Sequence, residues 1–254
     1  MSKLPKENQF VDVSDYGRPI AKIIANSLKF TKFTPIDVTI AFIISGLIGV
    51  YFIFYGYYFA AAFFLILKSI LDAADGELAR LKETPSYTGR FLDSVSDIIL
   101  NFIIFSTLWF LTDTNVLLAF LAFFGIQLQG TLYNYYYVIR RNRFDGDTTS
   151  RVFEHNTPTA LPGESQKNVN ILFFLYKAFY GIFDKIIYAL DKNASQGKTL
   201  PNWFMSLIST FGLGFQLLII SVLLVTGLKE VIIPFFIGYS VLIFVFIFIR
   251  KKFY

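Results

Sequence analysis

Six stretches of the chain are so apolar that water cannot be the solvent for most of it. They run from about Ile36 to Tyr55, Phe59 to Leu71, Phe91 to Leu111, Val116 to Ile139, Trp203 to Thr226 and Val231 to Ile249. In hydrocarbon each backbone N–H and C=O must find a partner inside its own segment, so apolar stretches of roughly 20 residues read as helices. The predicted fold is all-α: a polytopic membrane protein with six transmembrane helices. Only 16% of residues are charged, against about a quarter in soluble domains. The 31 Phe and 15 Tyr residues suit lipid-facing helices and interfacial belts, and the Tyr133–Tyr137 cluster reads as such a belt. The absence of cysteine removes disulfides and thiolate zinc sites.

Basic residues set an orientation. Lys3, Lys6, Arg18, Lys22, Lys29 and Lys32 precede the first span, and Arg80, Lys82 and Arg90 lie between the second and third. Arg140, Arg141, Arg143 and Arg151 follow the fourth, and Arg250, Lys251 and Lys252 end the sequence, while the opposite-side links hold only Lys229. The positive-inside rule then places both termini and both long connections on the cytoplasmic side. Residues 1–35 form a cytoplasmic lead-in. Within it Val13, Ile20, Ile23, Ile24 and Leu28 mark an amphipathic helix on the membrane surface. Residues 36–254 form one membrane domain, with a 140–200 insertion as the long cytoplasmic connection between the fourth and fifth spans. Val169–Leu190 is interrupted by Lys177, Asp184 and Lys185, so it reads as interfacial rather than spanning. Because the basic residues follow topology, no nucleic-acid surface is expected.

Carboxylates in a membrane span are costly and by default mark function. Here four of them cluster. Asp72, Asp75, Gly76, Ala79 and Arg80 fall at i, i+3, i+4, i+7 and i+8, one face of a helix, and Asp93 and Asp97 share a face of the next. Four converging carboxylates repel unless cations lie between them. Oxygen ligands without His or Cys suit Mg²⁺, Mn²⁺ or Ca²⁺ rather than zinc. Two such ions grip a pyrophosphate and stabilise an in-line displacement at phosphorus. Gly76 and Ala79 leave room for a flat base or ribose, and Arg80 offers a forked donor to phosphate oxygens. Lys68, one turn before Asp72, faces the same cavity and is placed to pair with an acid or a donor phosphate.

The string Asp72-x2-Asp75-Gly76-x2-Ala79-Arg80-x8-Gly89-x3-Asp93-x3-Asp97 resembles, position for position, the signature of the CDP-alcohol phosphotransferase (CDP-alcohol phosphatidyltransferase) family. The resemblance implies that Asp72, Asp75, Asp93 and Asp97 bind two divalent metals, Mg²⁺ or Mn²⁺. It implies that Gly76, Ala79, Arg80 and Gly89 line the CDP pocket and that Asp97 is also the general base. The implied reaction is attack by an acceptor hydroxyl on the β-phosphorus of a CDP-linked donor with release of CMP, in phospholipid synthesis. The donor is CDP-diacylglycerol or a CDP-headgroup alcohol, since the signature reads only the shared CDP part. A homodimer among membrane lipids is also implied. Pro35-Ile36-Asp37-Val38-Thr39 keeps the Pro and Thr of a second family run but has Ile36 where that run has Asn.

Arg140, Arg141, Arg143 and Arg151 read either as a pocket for a phosphorylated acceptor or as topology signals against anionic headgroups, with the second preferred. His155 reads as a surface loop residue. Two other classes use intramembrane acids. A prenyltransferase-like enzyme needs a second Asp-rich motif on a later helix, and none follows Asp97. A cation transporter has no use for Gly76, Ala79, Arg80 and Gly89 at these spacings.

Overall fold

The computed structural model of the chain describes residues 4–144, 146 and 156–254. Arg151 and His155 lie outside them. All regular elements among the described residues are helical. A short 3-10 turn at Val13–Asp15 leads into α1 (Arg18–Leu28). The expected amphipathic stripe is divided there. Ala21 and Ala25 are fully buried, and with Ile24 and Leu28 they pack on Ile70, Ala74 and Leu78. Ile20 and Ile23 point outward instead, 51% and 69% exposed.

Thr34 caps α2 (Pro35–Phe54). Its hydroxyl accepts from Asp37 N at 3.2 Å while Asp37 Oδ2 accepts from Thr34 N at 2.7 Å, a reciprocal box with Pro35 opening the helix. Gly56 then turns the chain at φ +78°, a conformation L side chains rarely adopt, and α3 (Tyr58–Leu81) folds back along α2. There follow α4 (Tyr87–Leu111), α5 (Val116–Arg143), α6 (Gln166–Leu190), α7 (Asn202–Ile208), α8 (Leu213–Val225), α9 (Lys229–Tyr239) and α10 (Val241–Phe253).

Among the described residues, four stretches are long and apolar enough to cross a membrane: α2, α4, α5 and Lys229–Phe253. The run Asn202–Phe211 with α8 makes a fifth if this pair, bent by 54°, is one span. The expected second span is not in this set. At 24 residues α3 has the length, but Lys68, Asp72, Asp75, Glu77 and Arg80 charge its second half. α6 is not in the set either.

α3 packs on α1, α2 and α8, whereas α4 packs on α2, α5 and α6. Leu65, Phe105, Leu217 and Phe236 build the apolar core between them. Inside that core Gln216 Nε2 donates to Gln129 Oε1 at 3.1 Å, and Gln129 Nε2 donates to Ser240 Oγ at 2.9 Å. Side-chain amides paired in this way join apolar helices that gain little from hydrophobic contact alone.

The basic and aromatic end of α5 differs from its sequence reading. Arg140 is buried and donates to the carbonyls of Asn8 and Leu200 and to Asn202 Oδ1. Arg141 is buried over the Tyr137 ring, at 5.2 Å. Arg143 stays exposed and donates to Ser195 O and Gly197 O at 3.0 and 2.8 Å. Tyr133, Tyr135 and Tyr136 are buried too, bonded to Asp12 and Asp191, so they do not form a lipid-facing belt. The N-terminal segment and residues 191–202 fold over this end of α5, which the linear sequence could not indicate.

Candidate active site

The second half of α3 and the first half of α4 bring the signature together. Ser86 caps the start of α4, its extended backbone placing its hydroxyl to accept from Gly89 N at 2.8 Å. Glu164, brought by the chain before α6, completes this end. Its Oε1 accepts from Ser86 Oγ and Thr88 N, both at 2.7 Å, and its Oε2 accepts from Leu161 N at 3.0 Å. The unpaired N–H groups and positive dipole of a helix start favour such an anion. Partial burial works against the Glu164 charge, but the bonds from Thr88, Ser86 and Leu161 outweigh it and hold its carboxyl below the usual glutamate range.

A folded value below the unfolded one means stabilisation present at neutral pH and lost as pH falls through the folded value. Glu164→Ala is therefore expected to lower stability by about 1 kcal/mol, discounted because the group is partly solvated. Thermal unfolding in detergent should show this gap at pH 7 and its progressive narrowing as pH falls below the ordinary glutamate value of about 4.3. A gap unchanged down to pH 3 would show that the charge plays no part.

Gly89, Asp93 and Asp97 follow one another at one-turn intervals on α4, facing Lys68, Asp72 and Asp75 on α3. Carboxylate oxygens of Asp72, Asp93 and Asp97 lie within 4.8 Å of one another. Asp75 is buried beside them, and its Oδ2 accepts from Thr39 Oγ1 of α2 at 2.6 Å. The Thr of the Pro35–Thr39 run thus has a definite contact. Ile36 occupies the space beside Gly89, where an added Cβ would meet its Cγ1 at 3.7 Å.

Lys68 Nζ donates to Asp72 Oδ2 at 3.1 Å and to Asp97 Oδ1, and lies 4.6 Å from the centre of the Phe42 ring. Asp93 Oδ1 is buried with no hydrogen-bond partner. Three converging carboxylates, one of them with an orphaned oxygen, and no His or Cys ligand make a set that fits a hard divalent cation.

Arg80 is placed differently. Its guanidinium folds over Gly76, where an added Cβ would stand 3.6 Å from Nη1, and it donates to Glu77 Oε2 at 2.8 Å rather than to any of the four aspartates. Its Nε is buried without a partner. Glu77 also lies 3.5 Å from Arg18 Nη1 and is nearly fully buried, which ties the signature helix to the N-terminal segment.

Sequence reasoning missed Glu77, Glu164 and Tyr180. On α6, Tyr180 stacks on Tyr176 at 5.5 Å, and Tyr176 lies 5.3 Å from Phe91 at the start of α4. This packing brings the Tyr180 phenol within electrostatic reach of Asp97 and Asp93. No spacing in the sequence connects α6 to the acids.

The sequence model of the CDP-alcohol phosphatidyltransferase family matches residues 32–161, just over half of the 254 residues and the whole of the acidic string. The chain belongs to the CDP-alcohol phosphatidyltransferase family. Comparison with curated proteins gives no match. Phosphatidyltransferases of this family are transferases of phospholipid synthesis that draw on CDP-alcohols and use divalent metals. With several apolar helices besides, the chain is an integral membrane protein. The match runs from just before α2 through α5 and ends before α6, so Tyr180 lies outside the shared part.

Proposed function

We propose that the protein transfers a phosphate-linked alcohol from a CDP-activated donor to an acceptor hydroxyl, releasing CMP, in phospholipid synthesis. The observation that carries this reading is the meeting of Asp72, Asp93 and Asp97 within 4.8 Å, beside Asp75, in the part of the chain that the family shares. Asp72, Asp75, Asp93 and Asp97 would hold two divalent ions, Mg²⁺ or Mn²⁺, which when bound neutralise the pyrophosphate and the charge developing at phosphorus.

The chain's own groups do the rest. Gly76, Ala79 and Gly89 keep side chains away from the CDP moiety, and Arg80, with an unpartnered Nε, presents donors to its phosphates. Thr39 fixes the Asp75 carboxylate by donating to it. Asp97 takes the acceptor's hydroxyl proton as the new bond from that oxygen to the β-phosphorus forms. The bond from this phosphorus to the oxygen bridging the two phosphates breaks, and CMP leaves with the electron pair.

In this reading α3 is the second of six spans, α7–α8 the fifth and α9–α10 the sixth. A single bilayer-facing surface around the acids of α3 is avoided because α1, α2 and α8 pack on it. Residues 1–35 are a lead-in lying on the cytoplasmic surface through Ile20 and Ile23, followed by a 36–254 membrane domain with a 140–200 cytoplasmic and interfacial insertion. Basic residues put both termini and the site on the cytoplasmic side. The assembly is a homodimer with one site per protomer.

The test is CMP release by purified protein in lipid, with Mg²⁺ or Mn²⁺, across CDP-linked donors and hydroxyl acceptors. Metal-dependent release with one donor–acceptor pair is the expected result. Folded protein that neither releases CMP nor binds CDP in a metal-dependent way would overturn the reading.

A further inference from the structure

Lys68 sits at the centre of the acids, yet neither the signature nor the reaction above employs it. The residue is 2% exposed, and its ammonium lies between the two acidic helices. An ammonium has three N–H donors. One goes to Asp72 on its own helix, one to Asp97 on α4, and the face of Phe42 lies 4.6 Å away on α2. Burying a lysine so completely is costly unless carboxylates compensate it, and here the compensation is mutual. Without a cation, Asp72, Asp75, Asp93 and Asp97 would hold mutually repelling charges in a largely dry space.

We infer that Lys68 is a tethered counter-ion that holds the carboxylate site together when it carries no divalent ion and competes with the ion that enters. This inference rests on the proposed reading that the aspartates bind metal. A divalent ion coordinating Asp72 and Asp97 would stand about 2.1 Å from their oxygens. The ammonium, 3.1 Å from Asp72 Oδ2 and bonded to Asp97 Oδ1, occupies the same approach. The two cations exclude one another by contact and by repulsion. Asp97 Oδ1 is also free to take the acceptor proton only once Lys68 has let go of it. The flexible four-carbon stem allows the ammonium to move away from Asp97.

Tethered cation and free metal are thus two ligands of one site with negative coupling, and removing one tightens the other by the same factor. In lipid nanodiscs, Mn²⁺ titration followed by electron paramagnetic resonance should give Lys68→Met an affinity about tenfold tighter than wild type, within the usual range of such couplings. Lys68→Gln should move the same way. In EDTA both variants should unfold at lower temperature than wild type, and saturating Mn²⁺ should erase that deficit, since the metal replaces the lost ammonium.

Equal or weaker Mn²⁺ binding in both variants, with tight binding in wild type, would overturn the counter-ion while leaving the metal reading in place. So would variants that stay unfolded even in saturating Mn²⁺. If wild type binds no Mn²⁺, or binds it as well after Asp93→Asn, the metal reading fails and the counter-ion with it.

Discussion

Asp97→Asn is expected to lower CMP release about a thousandfold, within the usual span for a lost general base, while the protein stays folded. The amide copies the shape of the carboxylate but binds no proton at neutral pH and is a poor metal ligand. The fold should tolerate it for an electrostatic reason. Asp97 is one of four acids around a single ammonium, and Lys68 keeps its bond to Asp72 at 3.1 Å when Asp97 is neutralised. Asp93→Asn offers the informative contrast. Asp93 Oδ1 has no partner to lose, so its replacement should weaken Mn²⁺ binding first and the rate as a consequence. Rates measured at saturating donor, acceptor and metal separate the two variants: excess Mn²⁺ should restore part of the Asp93→Asn rate and little of the Asp97→Asn rate. An Asp97→Asn protein working within tenfold of wild type would remove Asp97 from the role of base.

The acid centre was legible in the sequence because helical periodicity alone fixes which of positions 68–80 and 89–97 share a face. The facing of α3 toward α4 follows from their short connection. What lay beyond that local rule was not legible. Glu164 and Tyr180 reach the site through the packing of α6 and the segment before it on α4, and nothing in their spacing from Asp97 records this. Arg140 and Tyr136 have the composition of an interfacial belt, and only the folding of residues 191–202 over them turns both inward. Ala21 and Ala25 were invisible for the opposite reason. A search for large apolar residues follows Ile20 and Ile23, yet it is the small residues that let α1 lie close on α3. The second span expected from Phe59 to Leu71 is where sequence and structure part, since Lys68, Asp72 and Asp75 take α3 out of the set of apolar spans.

Asp191→Ala should cost about 3–5 kcal/mol of stability, the range for removing one partner of a buried ion pair. Asp191 is wholly buried just after α6. Its Oδ2 accepts from Tyr136 Oη of α5 and Arg250 Nε of α10, each at 2.7 Å, and its backbone carbonyl accepts from Tyr135 Oη at 2.9 Å. Three segments far apart in sequence therefore meet on one carboxylate. Truncation leaves Arg250, only 6% exposed, as an uncompensated charge beside an unpaired phenol. The cost comes from that stranded cation more than from the bonds themselves. Replacing both partners, as Asp191→Leu with Arg250→Met, should therefore recover most of the loss, because two apolar groups of similar bulk carry no desolvation penalty. Thermal unfolding in detergent across wild type, Asp191→Leu, Arg250→Met and the double variant gives the coupling directly. A double variant no more stable than Asp191→Ala would mean that the network holds the three segments through its specific hydrogen bonds rather than through charge compensation. The same series has a functional readout. Asp191 anchors the end of α6, and α6 carries Tyr180 to the acids. Loosening that anchor should lower CMP release in the single variant, and the double variant should regain it only to the extent that α6 returns to its place against α4.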